Sequence, residues 1–123
     1  MIVGIGVDAV DIARMRDTIT RTPSFRNRCF TADEQAYAEA ANDPSERYAV
    51  RFAAKEAVMK AMGLGLGAFG FYDVAVARAD SGVPSLVVTG EAKRLADERG
   101  INTWHVSLTH TELVAVAYVI ATA

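Results

Sequence analysis

The run from Ser45 to Met62 limits the possible folds most strongly, because it predicts one long helix. Tyr48, Phe52 and Met59 recur at helical spacing and, with Met62, predict a face turned towards the core. Alanines fill many of the other positions, and an exposed helix face rarely needs so many small residues beside charged ones. The run therefore predicts a helix that is buried or half-buried.

The charged residues of this helix predict a ligand site. Glu56 and Lys60 are four residues apart, so they project from one helix face, although such a pair can also be an ordinary surface ion pair. Asp8 adds a second carboxylate after a glycine-containing strand, where a lone aspartate can equally cap the next helix or turn. Magnesium prefers one or two carboxylates together with substrate phosphate oxygens. We expect Asp8 and Glu56 to hold Mg²⁺, with Lys60 beside a phosphate.

The rest of the chain predicts a single α+β domain, residues 1–123, with antiparallel strands packed against helices. Thr31 and Glu34 form a capping box, and Asp11 is a candidate helix N-cap. The predicted elements are a strand at 2–8, helices at 11–22, 33–41, 45–62 and 91–99, and strands at 72–79, 84–88, 103–108 and 113–120, with a polar turn at 109–111.

Composition excludes several classes of protein. The chain has 123 residues and a net charge of −2, which argues against a nucleic-acid-binding surface over the whole protein. The single cysteine, Cys29, excludes an intrachain disulfide and fits a reducing compartment. No signal-peptide pattern or membrane-length apolar run is present. We therefore expect a soluble, cytoplasmic protein without a membrane partner.

Glycines at positions 63, 65, 67 and 70 follow the long helix, whereas a phosphate-binding loop precedes a helix N-terminus. A helix-ending connector that can still border a ligand is therefore favoured.

His105 and His110 are five residues apart, which places them on opposite faces of a continuous strand and disfavours a zinc pair. His110, in a polar segment with Thr109, is the better candidate for contacting a phosphate.

Arginines crowd into the segment 14–28. Arg14 and Arg21 are seven residues apart and share a helix face, and Phe25 with Arg26 and Arg28 extends that face. An ordinary solvent-exposed helix face would show a similar pattern of arginines. A short basic strip with an aromatic residue, on a chain that is acidic overall, favours an acidic protein partner over nucleic acid.

These segments together resemble the holo-[acyl-carrier-protein] synthases, the small trimeric type of 4′-phosphopantetheinyl transferase. The resemblance runs nearly from end to end of the chain. It rests on Gly4-Ile-Gly-Val-Asp8 through Arg14, Phe30 through Glu34, Arg51-Phe-Ala-Ala-Lys-Glu-Ala-Val-Met-Lys60, and His105-Val-Ser-Leu-Thr-His110.

The resemblance implies Mg²⁺-dependent transfer of phosphopantetheine from coenzyme A (CoA) to a serine of an acyl carrier protein, with release of adenosine 3′,5′-bisphosphate. It implies Asp8 and Glu56 as metal ligands, Glu56 and Lys60 as catalytic residues, and active sites between the subunits of a homotrimer. The implied CoA-binding residues are Arg51, Lys60, Gly63, Gly65, His105, Thr109 and His110. The implied carrier-binding residues are Arg14, Arg21, Phe25 and Arg28.

Two positions depart from what relatives carry. Most relatives have a further acidic residue near the magnesium ion, and here that residue would have to be Asp11, which the strand-to-helix turn can direct away from the metal site. Thr111 stands where some relatives have an acidic residue after the second histidine. Glu56 is then the candidate for accepting the serine proton. The rival hypotheses are a non-enzymatic CoA or nucleotide binder and a magnesium phosphohydrolase.

Overall fold

In the computed structural model, which describes residues 1–123, five strands and five helices form an α+β fold. Their bounds are β1 (Ile2–Asp11), α1 (Ile12–Arg21), α2 (Ser24–Cys29), α3 (Ala32–Glu39), α4 (Ser45–Ala61), β2 (Val74–Arg78), β3 (Pro84–Val88), α5 (Gly90–Glu98), β4 (Thr103–His110) and β5 (Val114–Thr122). The expected α+β class with antiparallel strands is confirmed. None of the helices combines the length and the hydrophobicity that a membrane span requires.

Two antiparallel sheets position the helices. The larger sheet has the order β1-β5-β4, so the two ends of the chain lie side by side, and β2 and β3 form a separate hairpin. Helix α4 crosses one face of the larger sheet, which we call the inner face. As predicted from helical spacing, Tyr48, Met59 and Met62 are buried, while Phe52 is half-buried.

The glycines of β1 let α4 lie directly against the sheet. A Cβ atom at Gly4 would fall 1.8 Å from the carbonyl oxygen of Ala61, and one at Gly6 would fall 1.9 Å from that of Ala57. The helix backbone therefore approaches this face of β1 at a distance that only glycine permits. Because α4 is held this closely, side chains at the edge of the contact take fixed positions relative to β1.

The opposite face of the same sheet, which we call the outer face, is apolar and exposed. Ile5 is paired with Ile120 and Val7 with Tyr118, and paired residues share a face. Ile5 is 52% exposed, Val7 48% and Tyr118 42%. No element of this chain covers these side chains.

A buried ion pair ties α3, α4 and β2 together. The ammonium of Lys55 lies 2.8 Å from the carboxylate of Glu34 and also donates to the carbonyl oxygen of Val74. Glu34 completes the predicted capping box with Thr31 and accepts a bond from the backbone N–H of Val76. Both charged side chains are almost fully buried, so this pair serves the fold.

Four details of the predicted elements are wrong. β1 continues to Asp11, a short helix over Ser24–Cys29 follows the break at Pro23, and residues Phe71–Asp73 form a 3-10 turn ahead of β2. β4 extends through His110, so the polar turn begins at Thr111. The hydroxyl of Thr111 accepts bonds from the N–H groups of residues 113 and 114, which closes the turn later than residue polarity suggested.

Candidate active site

Asp8 and Lys60 meet where β1 emerges from under α4. The Lys60 ammonium lies 2.7 Å from a carboxylate oxygen of Asp8 and 3.2 Å from the carbonyl oxygen of Val7. The Asp8 side chain is only 13% exposed, whereas that of Lys60 is 55% exposed. The lysine therefore extends from the helix into solvent with its charged end held over a largely shielded carboxylate. The contact with Asp8 raises the pKa of Lys60.

Glu56 lies one helical turn before Lys60 and faces the same carboxylate. Burial, the negative charge of Asp8 and a hydrogen bond with Asp8 together raise the pKa of Glu56 to about 7, with Lys60 opposing the shift. Two carboxyl groups this close cannot both ionise without a cation between them. The pair is therefore short of positive charge even with Lys60 present.

This donor set fits a magnesium ion. Carboxylate oxygens are the ligands that Mg²⁺ prefers, and one or two are sufficient when a substrate phosphate supplies others. No group of three or more His, Cys, Asp and Glu side chains comes together anywhere in the chain, so an all-protein metal cage is not what the fold offers. Asp11 does not join the pair, because its side chain caps α1 by accepting a bond from the N–H of Arg14, as predicted.

The carboxylate pair opens into a cleft of about 400 Å³ between β1, α1 and α4. Its walls include Arg14 and Phe25, two of the residues predicted to contact an acidic partner. Arg21 borders the adjoining depression along α1, again with Arg14. The fold thus brings part of the basic strip to the same opening as Asp8 and Glu56.

Ion pairing divides the arginines of segment 14–28 into two groups. Arg16 pairs with Asp43 at 2.7 Å, and Arg26 pairs with Glu39 at 2.7 Å. No carboxylate lies within ion-pair distance of the other three, which are Arg14, Arg21 and Arg28. Arg26, which the sequence placed in the basic strip, is therefore neutralised within the chain, whereas Arg14, Arg21 and Arg28, the arginines that the resemblance implies for carrier binding, are not.

The residues predicted to bind CoA do not converge within one chain. Arg51, Thr109 and His110 line a second cleft of about 330 Å³, where His110 Nδ1 lies 3.2 Å from Glu46. His105 Nε2 lies 3.3 Å from the hydroxyl of Thr122, on the outer face of the sheet. The two histidines therefore lie on opposite faces, as predicted.

The glycine loop behaves as a helix-ending connector. Gly63 has φ 70° and donates its N–H to the carbonyl oxygen of Lys60, and Gly67 has φ 93°. A Cβ atom added at Gly63 or Gly65 would meet nothing within 4 Å. The loop begins just after α4 ends at Ala61, so it lies at the end of the helix that carries Lys60.

Fold and site together define a class, namely a small α+β protein that presents a carboxylate pair and a lysine beside a basic cleft. A family model described as the 4′-phosphopantetheinyl transferase superfamily matches residues 4–123. A holo-[acyl-carrier-protein] synthase of Frankia casuarinae is 45% identical over 120 residues, which are 98% of this chain and 97% of that relative.

Solved structures agree with the sequence relatives. The holo-[acyl-carrier-protein] synthase of Neisseria meningitidis superposes with a TM-score of 0.89 at 31% identity over all of both chains. That of Bacillus anthracis, in complex with CoA (3′,5′-ADP), gives a TM-score of 0.81 at 33% identity over 98% of this chain and 96% of that one. The chain therefore belongs to the 4′-phosphopantetheinyl transferase superfamily, among the holo-[acyl-carrier-protein] synthases, and is a transferase.

Proposed function

We propose that this protein, acting as one domain over residues 1–123, transfers 4′-phosphopantetheine from CoA to a serine of an apo acyl carrier protein. The reaction requires Mg²⁺ and releases adenosine 3′,5′-bisphosphate. One observation carries the proposal: Asp8, Glu56 and Lys60 meet at a cleft that is also lined by the unpaired Arg14. The complex of the Bacillus anthracis relative with CoA (3′,5′-ADP) supports the choice of substrate.

Asp8 and Glu56 would hold the magnesium ion. When bound, Mg²⁺ supplies charge neutralisation of the pyrophosphate of CoA. Lys60, exposed at its charged end and anchored over Asp8, is placed to offset negative charge that builds on the departing phosphate. The chain's own contribution is thus two anionic ligands and one cation held beside them.

Glu56 is proposed to accept the proton of the attacking serine. The serine oxygen forms a bond to the β-phosphorus of CoA, the bond from that phosphorus to the bridging oxygen breaks, and adenosine 3′,5′-bisphosphate leaves with the bridging oxygen. The serine proton passes to the Glu56 carboxylate. Since the nucleophile comes from the carrier, the chain needs no nucleophilic side chain of its own.

The carrier is proposed to dock against Arg14, Arg21, Phe25 and Arg28. The three arginines lack carboxylate partners in the chain, so an acidic surface would compensate them. Arg14 and Phe25 also line the cleft that contains Asp8 and Glu56. A carrier bound here would present its serine to the carboxylate pair.

A homotrimer is proposed to complete the CoA site. The predicted CoA-binding residues lie on separate surfaces of the chain. Lys60, Gly63 and Gly65 lie at the end of α4, His105 lies on the outer face, and Arg51, Thr109 and His110 line the second cleft. His105 lies on the outer face with Ile5. Covering that apolar face with a second copy would bring residues of two chains together.

The deciding experiment is intact mass spectrometry of an apo acyl carrier protein incubated with this protein, CoA and Mg²⁺. A carrier heavier by one phosphopantetheine, with no gain when a chelator is present, is the expected result. Hydrolysis would instead yield free phosphopantetheine, and a binding protein would yield neither product. If none of several carrier proteins gained mass, the proposal would be contradicted.

A further inference from the structure

Lys60 is the one cation of the chain in ion-pair contact with the carboxylate pair, and it joins the two sides of the site. Its ammonium lies 2.7 Å from Oδ1 of Asp8 and 3.2 Å from the carbonyl oxygen of Val7. Both contacts are with β1, whereas the ion pairs of α5 link residues three or four apart on the same helix. Lys60 therefore spans the gap between α4 and the strand that carries Asp8.

This contact gives Asp8 a counter-ion within the chain. The Asp8 side chain is only 13% exposed, so little water competes for its charge. An ion pair at such a carboxylate is screened less than a pair at the open surface. Asp8 is therefore already engaged when the protein carries no ligand.

A metal ion on Asp8 would compete with the Lys60 ammonium. Mg²⁺ binds carboxylate oxygens at about 2.0–2.1 Å, so an ion on Oδ1 of Asp8 would lie no farther than about 5 Å from the ammonium in its present position. Two cations at this distance repel each other, most strongly where water is largely excluded. Tight metal binding therefore requires that the ammonium leave Asp8.

Lys60 is free to change its partner. Its side chain is 55% exposed, and its ammonium donates hydrogen bonds to Asp8 and Val7 only. A lysine ammonium is a point charge on a flexible four-carbon stem, so it can turn towards an anion in the adjoining solvent without any movement of the helix. A pyrophosphate group, which is more strongly charged than a single carboxylate, is an anion of this kind.

We propose that Lys60 is an exchangeable counter-ion, which weakens metal binding to the free protein and releases Asp8 to the metal when the pyrophosphate of CoA takes over its ammonium. This inference rests on the proposed function, because CoA is the anion that draws the lysine away. Metal and CoA then bind cooperatively, and each raises the affinity of the protein for the other by the same factor. The protein thus holds a metal ion tightly only when substrate is present.

The test measures the binding of Mn²⁺ to the full-length protein, with and without CoA, by electron paramagnetic resonance of the free ion. Mn²⁺ is the probe because it prefers the same oxygen ligands as Mg²⁺. Lys60→Met removes the ammonium and keeps a long side chain, whereas Lys60→Arg keeps the charge. Lys93→Met is the matched control, since Lys93 is 61% exposed and pairs with Asp97 on α5. Thermal unfolding measures whether each variant is folded.

Without CoA, Lys60→Met is expected to bind Mn²⁺ about tenfold more tightly than the unmodified protein, a change within the usual range of coupling between two sites. Lys60→Arg and Lys93→Met should bind Mn²⁺ as the unmodified protein does. Addition of CoA should tighten Mn²⁺ binding more in the unmodified protein than in Lys60→Met, because Lys60→Met has no ammonium to be drawn away from Asp8.

Mn²⁺ binding to Lys60→Met that is equal to or weaker than binding to the unmodified protein overturns the inference, and so does a gain that Lys93→Met shares. The proposed function would survive that result, because transfer to an apo carrier is measured separately. If Lys60→Met binds Mn²⁺ more tightly but CoA changes Mn²⁺ binding in neither protein, competition between lysine and metal is supported and CoA as the substrate is contradicted. The two proposals therefore fail in distinguishable ways.

Discussion

Lys60 and Asp8 are 52 residues apart in the sequence, yet the lysine ammonium lies 2.7 Å from the aspartate carboxylate. The helix that carries Lys60 reaches this position because the glycines of β1 admit its backbone to within van der Waals contact of the strand. Glu56, which lies one helical turn before Lys60, faces the same carboxylate of Asp8. The proposed chemistry therefore depends on a contact between strand and helix as much as on the charged residues themselves.

Glu56→Gln is expected to keep the fold and lose transfer activity. The amide has nearly the same shape but cannot accept the serine proton, and removing a general base typically slows a reaction by about 10²–10⁴-fold. Turnover on an apo carrier protein measures the loss, and Glu98→Gln on α5 is the control for removing an exposed carboxylate. Near-normal turnover of Glu56→Gln would remove this residue from the mechanism.

The long helix, its buried face and its glycine ending were predictable because helical spacing and end signals are local in sequence. The capping box of Thr31 and Glu34 and the cap formed by Asp11 were predictable for the same reason. Helix α2 was missed since its six residues are too few to show a periodic apolar pattern.

Side-chain roles that depend on distant segments were harder to predict. Lys55 and Glu56 are adjacent in the sequence, but only the fold shows that Lys55 is buried against Glu34 while Glu56 faces Asp8. No local pattern predicted that Arg47 and Arg78 stack on the ring of Tyr37, because these arginines come from other elements of the fold. The roles of the site residues remain predictions from the resemblance, supported by the way in which Asp8, Glu56 and Lys60 meet.

The metal-free protein is expected to lose stability as the pH rises from about 5 to about 7. The pKa of Glu56 is about 7 in the folded chain against an ordinary 4.5, so over this range the folded state holds a proton that the unfolded state has released. Mg²⁺ should reverse the trend, because it binds the ionised pair and stabilises only the folded state.

Thermal unfolding from pH 5 to pH 8, with and without Mg²⁺, measures both effects, and Glu56→Gln serves as the reference that lacks the titrating group. The difference in Tm between Glu56→Gln and the unmodified protein should widen with pH in the absence of metal. Stabilisation by Mg²⁺ should be small at pH 5 and large at pH 8. A difference in Tm that does not change with pH would contradict the coupling between Glu56 and Asp8.

Gly6→Ala is expected to destabilise the fold severely. The new Cβ atom would lie 1.9 Å from the carbonyl oxygen of Ala57, so strand and helix would have to separate. Overpacking a core typically costs about 1–3 kcal/mol, and a clash with the helix backbone should reach or exceed the upper value. Urea unfolding measures the change, with Gly70→Ala as the control, because a Cβ atom there meets nothing within 4 Å. Equal stability of the two variants would show that β1 and α4 are not packed this closely.

Arg14→Glu is expected to raise the KM for the carrier protein without changing the affinity for CoA. A reversed charge beside the cleft would repel an acidic carrier, and rim charges act mainly on association. Steady-state kinetics with varied carrier concentration, at low and high salt, measures the effect, which should shrink as salt screens the charges. Arg94→Glu provides the same change of charge away from the cleft. A KM that rises equally in both variants would argue against a docking surface at Arg14.

Ile5→Asp is expected to break the proposed trimer while leaving the chain folded. Ile5 is 52% exposed in the single chain, so a charge there costs the isolated fold little, whereas a charge buried between apolar faces would be strongly unfavourable. Analytical ultracentrifugation measures the mass of the assembly, and circular dichroism measures folding. Val83→Asp is the control, because Val83 is 62% exposed and lies next to the β2–β3 hairpin, away from the outer face. If the CoA site needs two chains, Ile5→Asp should also lose CoA binding, whereas a monomeric variant that binds CoA normally would show that one chain suffices.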